Sequence, residues 1–134
     1  METIHISSTA AKQVIDITGK VSAAVFSSGV KNGMCLVFAQ HTTASVLLIE
    51  IDGRGEEDIL SSLSNLVPKN AKYEHDHSTP EHGAAHVKAA ILGSSKVIPV
   101  QDGKLQLGTW QSIVFCELDG PRKERKVIVQ VVGK

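Results

Sequence analysis

Hydrophobic and polar residues alternate over the first eight positions, where Ile4 and Ile6 fall on one side and His5 and Ser7 on the other. This period of two predicts a half-buried strand at the edge of a sheet. Further strand-like apolar runs follow along the chain, and the last of them is apolar on both faces. They are QVIDI (13–17), MCLVFAQ (34–40), VLLIEI (46–51), VIPV (97–100), LQLGTW (105–110), SIVFCELDGP (112–121) and KVIVQVV (126–132).

Three other segments have the period of a helix. From Thr18, apolar and small residues recur at 21, 24, 25 and 28, and Gly29 is a plausible stop. The run EEDILSSLSNLV (56–67) places its leucines on one face and ends before Pro68, which cannot continue a helix. Glu81 to Leu92 predicts a third helix, closed by Gly93.

Strands and helices that do not alternate regularly indicate an α+β fold: a single domain over residues 1–134 with a mostly antiparallel or mixed β-sheet and about three helices. Two strands that are apolar on both faces need cover on both sides. Because three short helices supply little cover, we expect the chain to form a homo-oligomer.

Composition narrows the class of protein. The 134 residues are 42% hydrophobic and 21% charged, and the formal net charge is zero. This is the composition of a soluble globular protein, and it lacks the basic excess of a nucleic-acid-binding one. No apolar run is long enough to span a membrane, and the first residues do not resemble a secretory leader. We expect a cytoplasmic protein in which the two widely spaced cysteines, Cys35 and Cys116, are reduced and buried.

The segment YEHDHSTPEHGAAH (73–86) contains four of the six histidines together with three carboxylates. His82 and His86 are one helical turn apart, and His75 and His77 would share one side of an extended segment. Imidazole and carboxylate groups suit zinc and similar ions. By itself, the segment is equally compatible with a solvated loop followed by a helix.

Polar residues interrupt two apolar strands at HTTAS. His41 opens this stretch, and Thr42 and Ser45 follow it, so they could orient a ligand at a strand end or form an ordinary turn. Glu50 ends the next apolar run, where it is either a pocket residue or the first exposed position of the strand.

Two later stretches are also candidates for ligand contacts. Gly108–Gln111 contains the only tryptophan, Trp110, which could stack on a planar ligand or pack in the core. A basic cluster after Asp119-Gly120-Pro121 could bind phosphate or form a solvated hairpin tip. It comprises Arg122, Lys123, Arg125 and Lys126.

Taken together, HTTAS, YEHD, GTWQ and the final valine-rich strand resemble the YjbQ-like family, whose members are often labelled secondary thiamine-phosphate synthases. The resemblance covers essentially the whole chain. It implies a compact α+β domain with a bifurcated mixed sheet that assembles as a trimer, in a cytoplasmic protein often found with a divalent metal.

The resemblance also implies site residues. It matches His41, His75 and His86 as metal ligands, with Glu50 and Asp76 as acidic groups that orient ligands or bound water. The positions matched for substrate binding are Thr42, Ser45, Thr109, Trp110, Gln111 and Arg125. The family usually carries other residues at His77 and His82, so neither is assigned as a ligand, and Ile49 and Ile51 replace the asparagines that usually flank Glu50.

The implied reaction joins hydroxymethylpyrimidine diphosphate to thiazole phosphate and releases pyrophosphate. Such chemistry needs a divalent metal, a basic group such as Arg125 for the phosphates, and a planar wall such as Trp110. Histidine ligands favour zinc, whereas a diphosphate substrate favours magnesium. Two alternatives remain: a non-catalytic trimer that binds a metal or metabolite, and a metal-assisted hydrolase of a small phosphorylated metabolite with Asp76 as base.

Overall fold

The computed structural model of the chain describes residues 1–75 and 81–134, which form eight strands and three helices. In chain order these elements are β1 (Glu2–Ile6), β2 (Gln13–Asp16), α1 (Thr18–Ser28), β3 (Gly33–Ala39), β4 (Ala44–Ile49), α2 (Gly55–Leu66), α3 (His82–Leu92), β5 (Ser95–Gln101), β6 (Lys104–Leu105), β7 (Ser112–Glu117) and β8 (Arg125–Gly133).

The strands form two sheets. The five-stranded sheet has the order β1-β8-β3-β5-β6, and the three-stranded sheet has the order β2-β7-β4. Every pairing among the described residues is antiparallel, so the mixed pairing implied by the family resemblance is not observed there. The predicted edge position of the first strand is confirmed. Of the run LQLGTW, only Leu105 lies in a strand, the short β6.

The three predicted helices are all present. Gly29 ends α1 with a φ of 72°, a left-handed conformation that glycine adopts without the steric cost of a Cβ atom, and its N–H bonds to the carbonyl of Phe26. Pro68 follows the end of α2, and Gly93 follows α3. None of these helices has the length and apolar character needed to cross a bilayer.

The main core lies between the two sheets. Val37 and Val129 from the inner face of the five-stranded sheet pack with Val25 of α1 and Phe115 of the three-stranded sheet. On its other face the three-stranded sheet contacts α3, where Val114 and other apolar residues pack against small alanines, and Ile59 and Leu60 of α2 complete this second cluster. The three-stranded sheet is therefore covered on both faces.

Both cysteines are buried and free, as predicted. Burial raises the pKa of Cys35 to about 11. Burial also raises the pKa of Cys116, to about 12, with a smaller contribution from the charge of Glu117. Neither thiol has the low pKa of a reactive cysteine.

A buried ion pair joins the two sheets. Glu117, at the end of β7, is completely buried, and both of its carboxylate oxygens accept hydrogen bonds from Arg125 at the start of β8. The hydroxyl of Ser8 donates to the same carboxylate at 2.6 Å, and Arg125 also donates to the hydroxyl of Thr43 at 3.0 Å. Burial alone would raise the pKa of Glu117, but the hydrogen bonds from Arg125 and Ser8 outweigh it and hold the pKa below its ordinary value.

Arg125→Met should lower the free energy of unfolding by about 3–5 kcal/mol, because it leaves the Glu117 carboxylate buried without its partner. Urea denaturation of the two proteins measures the difference. The matched control is Lys126→Met, which removes an exposed positive charge from the next residue and should change stability by less than about 0.5 kcal/mol. Equal losses in both variants would contradict the prediction.

The same pair makes stability depend on pH. Because the folded-state pKa of Glu117 is depressed, its contribution is fully present above the unfolded pKa of about 4.5 and is lost as the pH falls through the folded-state value. Glu117→Gln should therefore flatten the acid limb of a plot of unfolding free energy against pH.

Candidate metal centre

Three histidines lie together at the beginning of α3. His82 and His86 project from one side of the helix, one turn apart, and His75 approaches from the preceding segment. A ligand nitrogen of each ring lies within 4.8 Å of a nitrogen of each of the others. The Nε2 atoms of His82 and His86 are only 3.1 Å apart. The three rings therefore point at one shared volume.

Close packing at the helix N-terminus brings His75 to this volume. A Cβ atom on Gly83 would lie 2.5 Å from Cβ of Tyr73, so the segment before the helix can approach only because residue 83 has no side chain. The Tyr73 hydroxyl also donates a hydrogen bond to the carbonyl oxygen of Pro68. These contacts position the backbone two residues before His75.

A buried carboxylate orients His82. Asp119 Oδ2 lies 2.9 Å from His82 Nδ1, and the Asp119 side chain is 1% exposed. The same oxygen accepts a hydrogen bond from Arg122, whose Nε donates to the Asp119 carbonyl. With Nδ1 turned to the carboxylate, Nε2 of His82 faces His86. This carboxylate–histidine arrangement is typical of metal ligands, because it orients the ring and increases its basicity.

The donor set suits zinc. Two nitrogens bound to one tetrahedral zinc ion lie about 3.3 Å apart, since each bond is about 2.0–2.1 Å long, and the observed 3.1 Å is close to this value. Without an ion, the same contact is a hydrogen bond between the two rings. Three protein nitrogens would leave a fourth position for water or a substrate.

The histidines open onto a cavity of about 500 Å³ with a cationic rim. His41, Thr42 and Thr43 form one side of the cavity, and His82 and His86 form another. Its remaining lining residues are Arg122, Lys123, Glu124 and Arg125. Arg122 and Arg125 are ion-paired with the buried carboxylates Asp119 and Glu117, so Lys123 and the remaining N–H groups of Arg122 are the donors that this rim offers to an anionic ligand.

The structure places His41 in the same cavity but in a different role from His75 and His86. Its Nε2 accepts a hydrogen bond from the backbone N–H of Lys126 at 2.8 Å, so that lone pair is already used. Burial, followed by the positive charge of Arg125, lowers the pKa of His41 below its ordinary value, which favours the neutral ring. The described histidines that lie together are thus His75, His82 and His86, whereas the sequence-based set contained His41 in place of His82.

Two residues predicted to contact substrate take part in buried structural contacts. Ser45 is completely buried, and its hydroxyl donates to the carbonyl oxygen of Gly93 at 2.5 Å. Arg125 lines the cavity, but its side chain is only 6% exposed and its guanidinium is bound to Glu117. Thr42 is exposed and lines the cavity as expected.

The predicted residues of the GTWQ stretch lie elsewhere on this chain. Gly108 and Gln111 form a turn in which the Gln111 side chain accepts a hydrogen bond from the Gly108 N–H at 2.8 Å. Trp110 is 72% exposed, so it is not the core aromatic that the alternative interpretation considered. Thr109, Trp110 and Gln111 are absent from the lining of the histidine cavity.

Of the two predicted catalytic carboxylates, only Glu50 lies among the described residues. Glu50 is exposed just after β4 and does not line the histidine cavity. Asp76 and His77 lie outside the described residues. Their predicted roles therefore remain predictions.

Asp119 and Glu117 are not among the residues predicted from the sequence, although a signal for them is present. Each is a carboxylate within or directly after the apolar run IVFCEL, where a charged residue must find a buried partner. His82 has the one-turn spacing of a ligand pair with His86, but the resembled family usually carries another residue at its position.

Fold and site together define an α+β protein with a three-histidine centre beside a cationic cavity. A family model described as "UPF0047 protein YjbQ-like" matches residues 2–134. The chain therefore belongs to the YjbQ-like family of UPF0047 proteins.

Relatives support this membership along the whole chain. A UPF0047 protein of Methanothermobacter thermautotrophicus is 43% identical over 122 residues, which cover 91% of this chain and 84% of the relative. The UPF0047 protein YugU of Bacillus subtilis is 35% identical, and the alignment covers 99% of both chains. A crystal structure of a YbjQ-like protein of unknown function from Sulfolobus solfataricus P2 superposes with a TM-score of 0.95 at 38% identity, covering 99% of this chain and 96% of that one.

Proposed function

We propose that this protein is a metal-dependent enzyme that acts on a small phosphorylated metabolite. The observation that carries the proposal is the cluster of His75, His82 and His86 at a cavity rimmed by basic side chains. The histidine nitrogens would hold a divalent transition metal, with zinc the best match to the ligand type. A metal bound there would supply Lewis acidity toward a phosphate oxygen.

The chain's own residues would orient the substrate. Lys123 is exposed at the rim, and Arg122 is partly exposed while held by Asp119, so its guanidinium is presented to the cavity in a fixed position. Fixed cations and exposed donors such as the Thr42 hydroxyl suit phosphate oxygens. Asp119 has a positioning role, because it acts through His82 and Arg122.

The specific reaction implied by family resemblance is thiamine-phosphate synthesis from hydroxymethylpyrimidine diphosphate and thiazole phosphate. A cationic cavity of about 500 Å³ is compatible with a diphosphate group. Trp110 does not line the cavity of its own chain. To stack on the heterocyclic ring of the substrate, it would have to reach the cavity of another subunit.

One observation favours a second candidate, hydrolysis of a phosphorylated metabolite. All three clustered ligands are imidazoles, which suit zinc, whereas diphosphate-transferring enzymes usually use magnesium held by oxygen ligands. Zinc with an open position is the usual arrangement for activating water.

The metal centre is tested first. Purified protein should bind about one zinc ion per chain, measured by elemental analysis and competition with a chromophoric chelator. His86→Ala should abolish this binding, and Asp119→Asn should weaken it about 10–100-fold, because it removes the partner that orients His82. His5→Ala, which removes an exposed histidine of β1, is the matched control. Unchanged affinity in His86→Ala would refute the centre.

The reaction is tested with zinc-loaded and magnesium-supplemented protein. The two precursors should yield thiamine phosphate, detected by chromatography, and the yield should fall to background in His86→Ala but not in His5→Ala. Release of phosphate from simple phosphate monoesters without thiamine phosphate would instead assign the protein as a hydrolase. If neither activity appears in protein that binds zinc, catalysis is rejected in favour of a binding function.

We further propose that the protein is a homotrimer whose subunits meet through the outer face of the five-stranded sheet. Met34, Val97 and Val132 are each more than half exposed on this face, and Phe38 is 37% exposed. Met34 is paired with Val132 across the strands, and the half-buried Leu36 with Val97, so the side chains form a continuous apolar surface. The opposite face packs in the core. A second copy of the chain is the occupant that the apolar final strand and zero net charge favour.

Light scattering after size exclusion should give a mass about three times 14.3 kDa at micromolar concentration. Met34→Lys combined with Val97→Lys should reduce the mass to that of one chain while the circular dichroism spectrum is retained, because two buried charges per interface are costly. Phe26→Lys provides the matched control: Phe26 is 81% exposed but lies on α1, away from the sheet surface. A monomeric wild-type protein would refute the assembly.

A further inference from the structure

A second cavity lies beside α3 and shares no lining residue with the histidine cavity. Its volume is about 240 Å³, and it is bounded by the C-terminal end of α2, the residue before β2, and α3. Residues 86 and 88 differ by about 200° around a helix axis, so Lys88 projects away from the face that carries His86. Nothing in the proposed chemistry of the histidine centre uses this cavity.

Lys88 is the most unusual residue of this cavity. It is 1% exposed, which makes it the largest fully buried side chain in the described chain, yet it lines the cavity. No ion pair or side-chain hydrogen bond joins its ammonium group to another described residue. A buried lysine is costly unless something pairs with its charge. Among the described residues that line the cavity, Glu81 is the one carboxylate near Lys88, and it makes no ion pair with the ammonium group.

Further cations line the same cavity. Lys12 donates a hydrogen bond to the Ser64 hydroxyl at 2.9 Å, and exposed Lys69 lies at the rim. Asn70 adds an amide to the lining. The cavity therefore contains three lysines.

The one carboxylate of the cavity is only partly satisfied. Glu81 Oε1 lies 3.6 Å from Lys12 Nζ, whereas Glu81 Oε2 is buried and has no hydrogen-bond donor among the described residues. A ligand that completes this cavity must bring negative charge to Lys88 and a hydrogen-bond donor to Glu81. A phosphate monoanion does both, because its charged oxygens accept from ammonium groups while its P–OH group donates to a carboxylate.

We propose that this cavity is a second binding site, specific for a small phosphate group held between Lys88, Lys12 and Glu81. The volume is below the range of about 300–1,000 Å³ found for drug-sized ligands, so the occupant is inorganic phosphate or the ester of a very small metabolite. The site is independent of the histidine centre and of the function proposed for it. It does not require a metal.

Isothermal titration of the full-length protein with inorganic phosphate tests the site. Wild-type protein should bind with an affinity that falls as salt is added, and Lys88→Met should bind about 10–100-fold more weakly, because it removes a charge-assisted hydrogen bond. Lys20→Met removes an exposed lysine of α1 and is the matched control. His86→Ala should bind phosphate at this site as the wild type does, which separates this result from any failure at the histidines.

Two further variants make the outcome decisive. Glu81→Gln should weaken binding of the phosphate monoanion, since an amide can donate but accepts less strongly from P–OH. Lys69→Met changes an exposed residue at the rim, so it should not affect folding of the core. It should weaken binding several-fold and can be measured even if Lys88→Met does not fold.

Repeating the titration with methyl phosphate and glycerol phosphate distinguishes a free-phosphate site, which rejects both esters, from a metabolite site, which accepts them. No binding by the wild type at millimolar phosphate, or equal binding by wild type, Lys88→Met and Lys69→Met, would overturn the proposal.

Discussion

The buried pair of Glu117 and Arg125 is the interaction on which the arrangement of the histidine centre depends. Besides joining β7 to β8, the Glu117 carboxylate accepts hydrogen bonds from the backbone N–H groups of Leu118 and Asp119, at 3.0 and 3.1 Å. It therefore fixes the backbone where Asp119 leaves the sheet. Asp119 in turn orients His82, so a contact between two sheets determines the direction of a histidine ring on a helix. The energetic cost of burying this pair is offset by the two hydrogen bonds between its members and by four more to neighbouring groups, which is the condition under which buried charges are tolerated.

Helix α3 combines structural and chemical roles because its faces differ. Ala85 and Ala89 are small enough to let the helix pack closely on the three-stranded sheet. His82 and His86 flank this apolar stripe on one side, and Lys88 lies on another. A helix with such small contact residues brings its polar side chains near the sheet, where His82 and Lys88 are buried.

Much of the fold could be predicted because local patterns determine it. The period of the apolar residues and stop signals such as Gly29 and Pro68 gave all three helices, and alternation gave the edge strand. The separation into two sheets could not be predicted, since it depends on pairings between distant strands that have similar apolar sequences. The sheet was expected to be mostly antiparallel or mixed, and all the described pairings are antiparallel.

The candidate site was predictable only in part. His75 and His86, which were predicted to be ligands of one site, lie together, and His82 is one helical turn from His86. The contact between His82 and Asp119 spans 37 residues, so no periodicity reveals it. Whether Ser45 and Arg125 face a ligand or a buried partner depends on tertiary packing. The type of residue at the end of a strand does not reveal that packing.

The pairing of β1 with β8 also has a consequence for how the protein is made. Residues 2–6 take residues 125–129 as their strand partner, and β3 takes the same last strand on its other side. During synthesis, β3 can pair with β5 first, but the five-stranded sheet closes only after β8 has left the ribosome. Closure of this sheet therefore depends on contacts between residues more than 100 positions apart, and such distant contacts slow folding.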